Sequence, residues 1–163
     1  MPKPPRQKPL LSKRRAARFA AVQALYQVEM SRADSREVAV EFVRHRLPQL
    51  LEPLGLTDLS PAVDEPFFAQ LVVETWKARE ELDAIIATAL APGWSLERCG
   101  YVLRALLRAG VFELAHRPDV PVSVVIDEYV EVARLFFAGN EPGFVNAVLD
   151  RLAPQLRKDP TLP

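Results

Sequence analysis

One cysteine, two histidines and six glycines are spread over 163 residues, and these scarcities exclude several chemistries. A lone Cys99 can neither close a disulfide within the chain nor build a multi-cysteine metal site, and it fits a reducing cytosol. His45 and His116 each stand beside an arginine, with no Cys, Asp or Glu at metal-ligand spacing on the same helical face. Both read as solvated or capping imidazoles. The glycines form no G-x-G pair and no phosphate-cradling loop, which argues against a nucleotide or S-adenosylmethionine site. No apolar run approaches the roughly 18 residues of a membrane span. The basic, proline-spaced start "MPKPPRQKPLL" lacks the apolar centre of a signal peptide. Adjacent acids such as Asp127/Glu128 and Glu80/Glu81 point to different parts of a helix surface and read as solvated charge. Cys99 falls on an apolar stripe and reads as a small core residue. No catalytic constellation emerges; the expectation is a soluble cytoplasmic protein that is not an enzyme, with no metal, no cofactor and no membrane contact.

A further absence is local. Residues 1–28 contain no Asp or Glu, although the chain holds 21 of them. Seven of its 21 basic residues lie in that stretch (Lys3, Arg6, Lys8, Lys13, Arg14, Arg15 and Arg18), which leaves 14 bases against 21 acids for the remainder. A formal net charge of zero therefore hides a basic end on an acidic body, the distribution expected of a protein that meets a polyanion at one end.

What is present is helical. The 15 prolines cluster in the N-terminal tail and in 48–66, and occur singly beyond. The intervals between them carry helical spacing and no sustained strand alternation. Ser12 reads as the N-cap of a helix running to about Ser31, and "REVAVEFVRHRL" as a second helix ending near Pro48. The segment 48–63 reads as an apolar loop. Asp64, followed by Pro66 in the first turn, opens a third stretch that ends before Pro92-Gly93, with a break expected near Arg79–Leu82. One helix is expected from Ser95 to about Arg117, with Leu96, Cys99, Val102/Leu103, Leu106 and Phe112/Glu113 marking its rhythm. Another runs from Pro121 to Gly139. A last begins with Asn140 as N-cap and Pro142 where a missing N–H costs little. The fold class is all-α, a single-domain bundle of six or seven helices over 12–157, with flexible ends at 1–11 and 158–163.

The first helix, "KRRAARFAAVQALYQVEM", poses a physical problem. Lys13, Arg14, Arg15 and Arg18 occupy its first two turns, where each cation opposes the helix dipole by roughly 0.3–1 kcal/mol. At 100° per residue, Arg14, Arg15 and Arg18 share one arc, which continues C-terminally as Val22, Leu25 and Tyr26. Ala16, Ala20 and Ala24 form a smooth strip suited to close helix contact. A solvated helix end would carry such charges too. No acid lies within four residues to relieve them, however, and Phe19 and Tyr26 supply nearby aromatic faces. A phosphate at the helix N-terminus would make the arrangement favourable, and guanidinium groups beside an aromatic suit single-stranded RNA.

Two blocks, "RRAARFAAVQALYQVEMS" and "LLRAGVFELAHRPDVPVSVVIDEYVEVARLFFAGNEPGFVNAVLDRLAP", resemble the NusB family of bacterial transcription antitermination factors, in matching order and spacing from about residue 12 to 157. The segments "VPVSVVIDEYVEVAR" and "FVNAVLD" are the most specific. The resemblance implies two three-helix sub-bundles packed together. It also implies binding to the boxA element of nascent ribosomal RNA, jointly with the small-subunit ribosomal protein NusE, within an RNA polymerase antitermination complex. Carried onto this chain, it assigns RNA contact to Lys13, Arg14, Arg15, Arg18, Tyr26 and Phe144, and a NusE surface to Glu97, Leu103, Arg104 and Asn140. By position alone Phe144, with Val145, Val148 and Leu149 around it, reads as core. The chain departs from the family pattern at Ala16 (an arginine elsewhere), Ala147 (a glycine), Leu103 (an acid) and Asn140 (an acid). Two other readings are a structural helical module with a solvated basic end, and a relative of the N-terminal domain of ribosomal RNA cytosine methyltransferases. The latter would need a cofactor domain and catalytic cysteines that these residues do not contain.

Overall fold

A computed structural model describes residues 12–47, 49 and 63–158. The expected tails at 1–11 and 158–163, apart from Lys158, and nearly all of the 48–63 loop lie outside them. Seven α-helices form among the described residues: α1 (Lys13–Ser31), α2 (Ser35–Glu41), α3 (Glu65–Lys77), α4 (Arg79–Ala87), α5 (Tyr101–His116), α6 (Val122–Phe136) and α7 (Glu141–Leu156).

Local chemistry sets most boundaries. Ser12 caps α1, its hydroxyl accepting from the Arg15 N–H at 3.0 Å. Asp34 caps α2 by accepting from the N–H groups of Arg36 and Glu37, and Phe42–Arg46 then widen into a π-helical turn. Asp64 caps α3 with Pro66 in its first turn, as expected. The break that follows falls at Ala78, one residue ahead of the expected window. There Arg79 folds back, donating to the Trp76 carbonyl and lying 4.2 Å over the Trp76 ring.

Two expectations fail locally. The helix expected from Ser95 is divided by Gly100 into a 3-10 turn (Leu96–Cys99) and α5. Gly100 sits at φ 77°, ψ 164°, a conformation essentially closed to residues with a Cβ. Asn140 does precede α7, but its backbone is already helical (φ −86°, ψ −2°) and its side chain makes no cap bond. An N-cap side chain reaches the helix N–H groups from extended backbone, which Asn140 does not adopt.

The helices form two groups of three. The first is α1, α2 and α3; the second is α5, α6 and α7, with α4 packed on α5. The joint between the groups is α1 against α5. Ala16, Ala20 and Ala24, the predicted smooth strip, are all fully buried, as are Ala17 and Ala21. Within the second group Gly110 lets α5 and α7 close together, since a Cβ at that position would meet both Leu149 methyls at 3.2 Å.

Buried in this joint is an ion pair. The Arg18 guanidinium donates to Glu113 of α5 through two parallel bonds of 2.8 and 2.9 Å, and the two side chains are 2% and 0% exposed. Phe67 and Tyr129 lie against the guanidinium, at 5.0 and 5.9 Å. Removing one member of such a pair strands a charge out of water, whereas replacing both with apolar groups of similar volume is often neutral. Arg18→Met alone should therefore cost about 3–5 kcal/mol in urea unfolding, and Arg18→Met/Glu113→Leu should recover most of that loss.

Candidate nucleic-acid interface

The four cations that open α1 do not act alike. Lys13 is exposed. Arg14 is half exposed, its Nε 3.8 Å from Asp64 of α3. Arg15 is held by two bonds, of 2.7 and 3.0 Å, to Glu128 of α6. Arg18 is buried against Glu113, and Glu128 also approaches it at 3.7 Å. The expectation that three guanidinium groups project beyond the core on one side is thus corrected: of the four cations only Lys13 and Arg14 are exposed. Nor is Glu128 a solvated charge, as its neighbour Asp127 is; it faces two arginines.

The dipole conflict read from the sequence is therefore resolved largely inside the protein. No acid lies in the first turn of α1 itself, but three other helices send carboxylates to it. Burial alone would lower the pKa of Arg18, yet the Glu113 hydrogen bond and the negative charges of Glu113 and Glu128 hold it above its ordinary value. Arg15 is likewise raised, chiefly by its bond to Glu128. The outer edge of Arg15 borders a groove of about 550 Å³ between α6 and the start of α7, which Arg134 and Asn146 also line.

The two aromatic candidates are half-buried rings, neither fully core nor free. Tyr26 meets Tyr101 edge-on, with centroids 6.3 Å apart. Phe144 meets Trp94 in the same manner at 6.4 Å. Tyr101 and Trp94 escaped the sequence reading, although each follows a glycine at positive φ (Gly100 at 77°, Gly93 at 82°) and stands outside the apolar rhythm. Cys99 is not a core residue on a helical stripe. It lies half-buried in the 3-10 turn, where its sulfur accepts from the Trp94 indole N–H at 3.4 Å.

The residues expected to meet NusE are divided. Glu97 and Asn140 are exposed, on the 3-10 turn and ahead of α7. Leu103 is 6% exposed and packs into the core, so it has little surface to offer a partner. Arg104 is largely covered: it pairs with Glu29 of α1 and lies 4.8 Å over the Tyr101 ring. Arg108 continues this network, bound to Asp83 through bonds of 2.6 and 2.7 Å and to Glu29 at 3.3 Å. Among the described residues no group of three His, Cys, Asp or Glu side chains could hold a metal ion, and no helix is long and apolar enough to cross a membrane.

The sequence profile of the NusB family matches residues 15–154. This chain belongs to the NusB family. Among its relatives is the transcription antitermination protein NusB of Sinorhizobium fredii, 47% identical over 146 residues, which span 90% of this chain and 89% of that one. A solved structure of T. maritima NusB superimposes with a TM-score of 0.66 at 28% identity, covering 91% of this chain and 97% of that one. A second, of antitermination factors NusB and NusE in complex with dsRNA, has the same fold at 24% identity and a TM-score of 0.65, covering 86% and 96%. The NusB fold is thus the frame on which the basic end and the two ring pairs are displayed.

The arginines predict a graded response in stability. Arg14→Gln should change unfolding free energy by no more than about 0.5 kcal/mol, as at an ordinary surface position. Arg15→Gln should cost about 1.5–3 kcal/mol, the range for hydrogen bonds to charged groups. Equal effects in urea titrations would contradict the division.

Proposed function

We propose that this protein is an RNA-binding transcription antitermination factor that loads with ribosomal protein NusE onto boxA of nascent ribosomal RNA. In the antitermination complex it helps RNA polymerase read through ribosomal RNA operons in the cytoplasm. The observation that carries the reading is the family match over residues 15–154, which contains Arg15, Arg18, Tyr26 and Phe144 and begins just after Lys13 and Arg14. The geometry supports it: exposed cations open α1, and partly exposed rings stand on the same α1–α5 joint and on α7. A solved relative is described with both NusE and double-stranded RNA.

The division among the cations refines the mechanism. Lys13 and Arg14 are the residues of α1 available to phosphate, with the outer edge of Arg15 beside them. Arg18 contributes by holding α1 against α5, and so by fixing the direction in which the first turn points. Tyr26 and Phe144 offer ring faces on which unpaired bases stack. NusE adds an adjoining surface by way of Glu97 and Asn140. A structural helical module is the second reading, favoured by the internal pairing of Arg15 and Arg18.

Salt-dependent binding to single-stranded boxA RNA separates the two. Lys13→Gln/Arg14→Gln should weaken binding and reduce the magnitude of the salt slope by about 1.4, roughly 0.7 for each lost phosphate contact. Tyr26→Leu and Phe144→Leu should remain folded and lose about 1–3 kcal/mol of binding each. Added NusE should raise the affinity of the unmodified protein. An unaltered slope, together with full binding by both Leu variants, would favour the structural module.

A further inference from the structure

Beyond Tyr26 and Phe144, the surface carries two rings that the fold does not use. Tyr101 and Trp94 are 46% and 44% exposed, unusual for residues of their size, and each touches one of the two candidate stacking rings edge-on. Neither contact is a face-to-face stack, and the exposure of Tyr101 and Trp94 leaves ring surface open to solvent. The two pairs are also connected. The indole N–H of Trp94 donates to Cys99, which lies two residues before Tyr101. The sequence of rings is therefore Tyr26, Tyr101, then Trp94 by way of Cys99, and finally Phe144.

The backbone fixes these rings in place. Gly93 at φ 82° turns the chain immediately before Trp94, and Gly100 at φ 77° starts α5 with Tyr101 as its first residue. Trp94 is tethered from below by the Cys99 sulfur, and Tyr101 is backed by the Arg104 guanidinium at 4.8 Å. Rings held this way lose little freedom when a flat ligand lands on them. Arg104 answers its own charge through Glu29, so this stretch supplies flat apolar faces more than net positive charge. The chemistry that fits is base stacking, with phosphate neutralisation left to the start of α1.

Resting on the RNA-binding reading above, we propose that Tyr101 and Trp94 are further base-stacking residues, which join Tyr26 and Phe144 into a four-ring track for one unpaired stretch of RNA. Consecutive bases splay onto the track and strand polarity is set by the cationic end of α1. Duplex RNA cannot use the rings without opening, because paired bases keep their faces to one another.

The test uses Trp94 as its own reporter. In a Trp76→Phe background, which keeps an aromatic ring beneath Arg79, Trp94 is the only tryptophan. Single-stranded boxA RNA of about 12 nucleotides, within the site size of stacking proteins, should quench its emission. NusE alone should leave it unchanged. The difference in emission between the unmodified protein and Trp94→Phe supplies the same readout should Trp76→Phe not fold. Tyr101→Leu and Trp94→Leu should each weaken RNA binding roughly five- to a hundredfold, and leave NusE binding, measured without RNA, intact. If both variants bind RNA normally while Tyr26→Leu does not, the track is overturned and the RNA-binding reading stands. If Tyr26→Leu and Lys13→Gln/Arg14→Gln are silent too, that reading fails as well. Quenching by NusE alone, with NusE affinity lost in Trp94→Leu, would assign the rings to a protein partner and overturn the proposal.

Discussion

The buried pair between Arg18 and Glu113 is the constraint on which the arrangement depends. It joins the first helix to the fifth across the boundary between the two three-helix groups, and it does so where neither charge can find water. Isolated in that setting, either charge would be strongly unfavourable; together, with Phe67 and Tyr129 against the guanidinium, they define one register of α1 on α5. Glu128 then reaches both Arg18 and Arg15, which extends the same network onto α6.

The network sorts the basic run by depth. Its inner members serve the fold, and its outer members remain for a ligand. Because Arg15 and Arg18 are neutralised by acids of α5 and α6, the exposed positive charge of α1, among the described residues, lies at its very start, on Lys13 and the half-exposed Arg14. On the proposed RNA-binding reading this placement gives direction: phosphate is drawn to the start of α1, while the aromatic pairs further along offer stacking surfaces without added charge. That reading assigns positioning and recognition to different residue types, cations following the backbone and rings receiving the bases.

Much of this was legible in the sequence. Proline punctuation and the 3.6-residue rhythm yield six or seven helices and the strip Ala16, Ala20, Ala24, because burial on one face imposes the period. Ser12 and Asp64 announce their helices through short side chains able to cap. The pairing of charges was not legible, since Arg18 and Glu113 are 95 positions apart and no local rule links them. A signal did exist: Glu113 falls on the apolar stripe of its helix, and Arg18 shares an arc with Val22 and Leu25. A charge in apolar phase implies a buried partner. Gly100 was read through because the apolar rhythm continues across it, although only its backbone conformation divides the helix. Leu103, taken as a departure at a partner surface, is better understood as core, for which a leucine is suited and an acid would not be.

The central claim is that Arg18 serves the fold and never meets phosphate. It is tested most directly by the salt dependence of RNA binding in Arg18→Met/Glu113→Leu, where the buried pair is replaced as a unit and the fold is kept. The account predicts a slope of log affinity against log salt equal to that of the unmodified protein. A slope smaller in magnitude by about 0.7, the contribution of one phosphate contact on a single strand, would show that Arg18 reaches the RNA and would contradict the account.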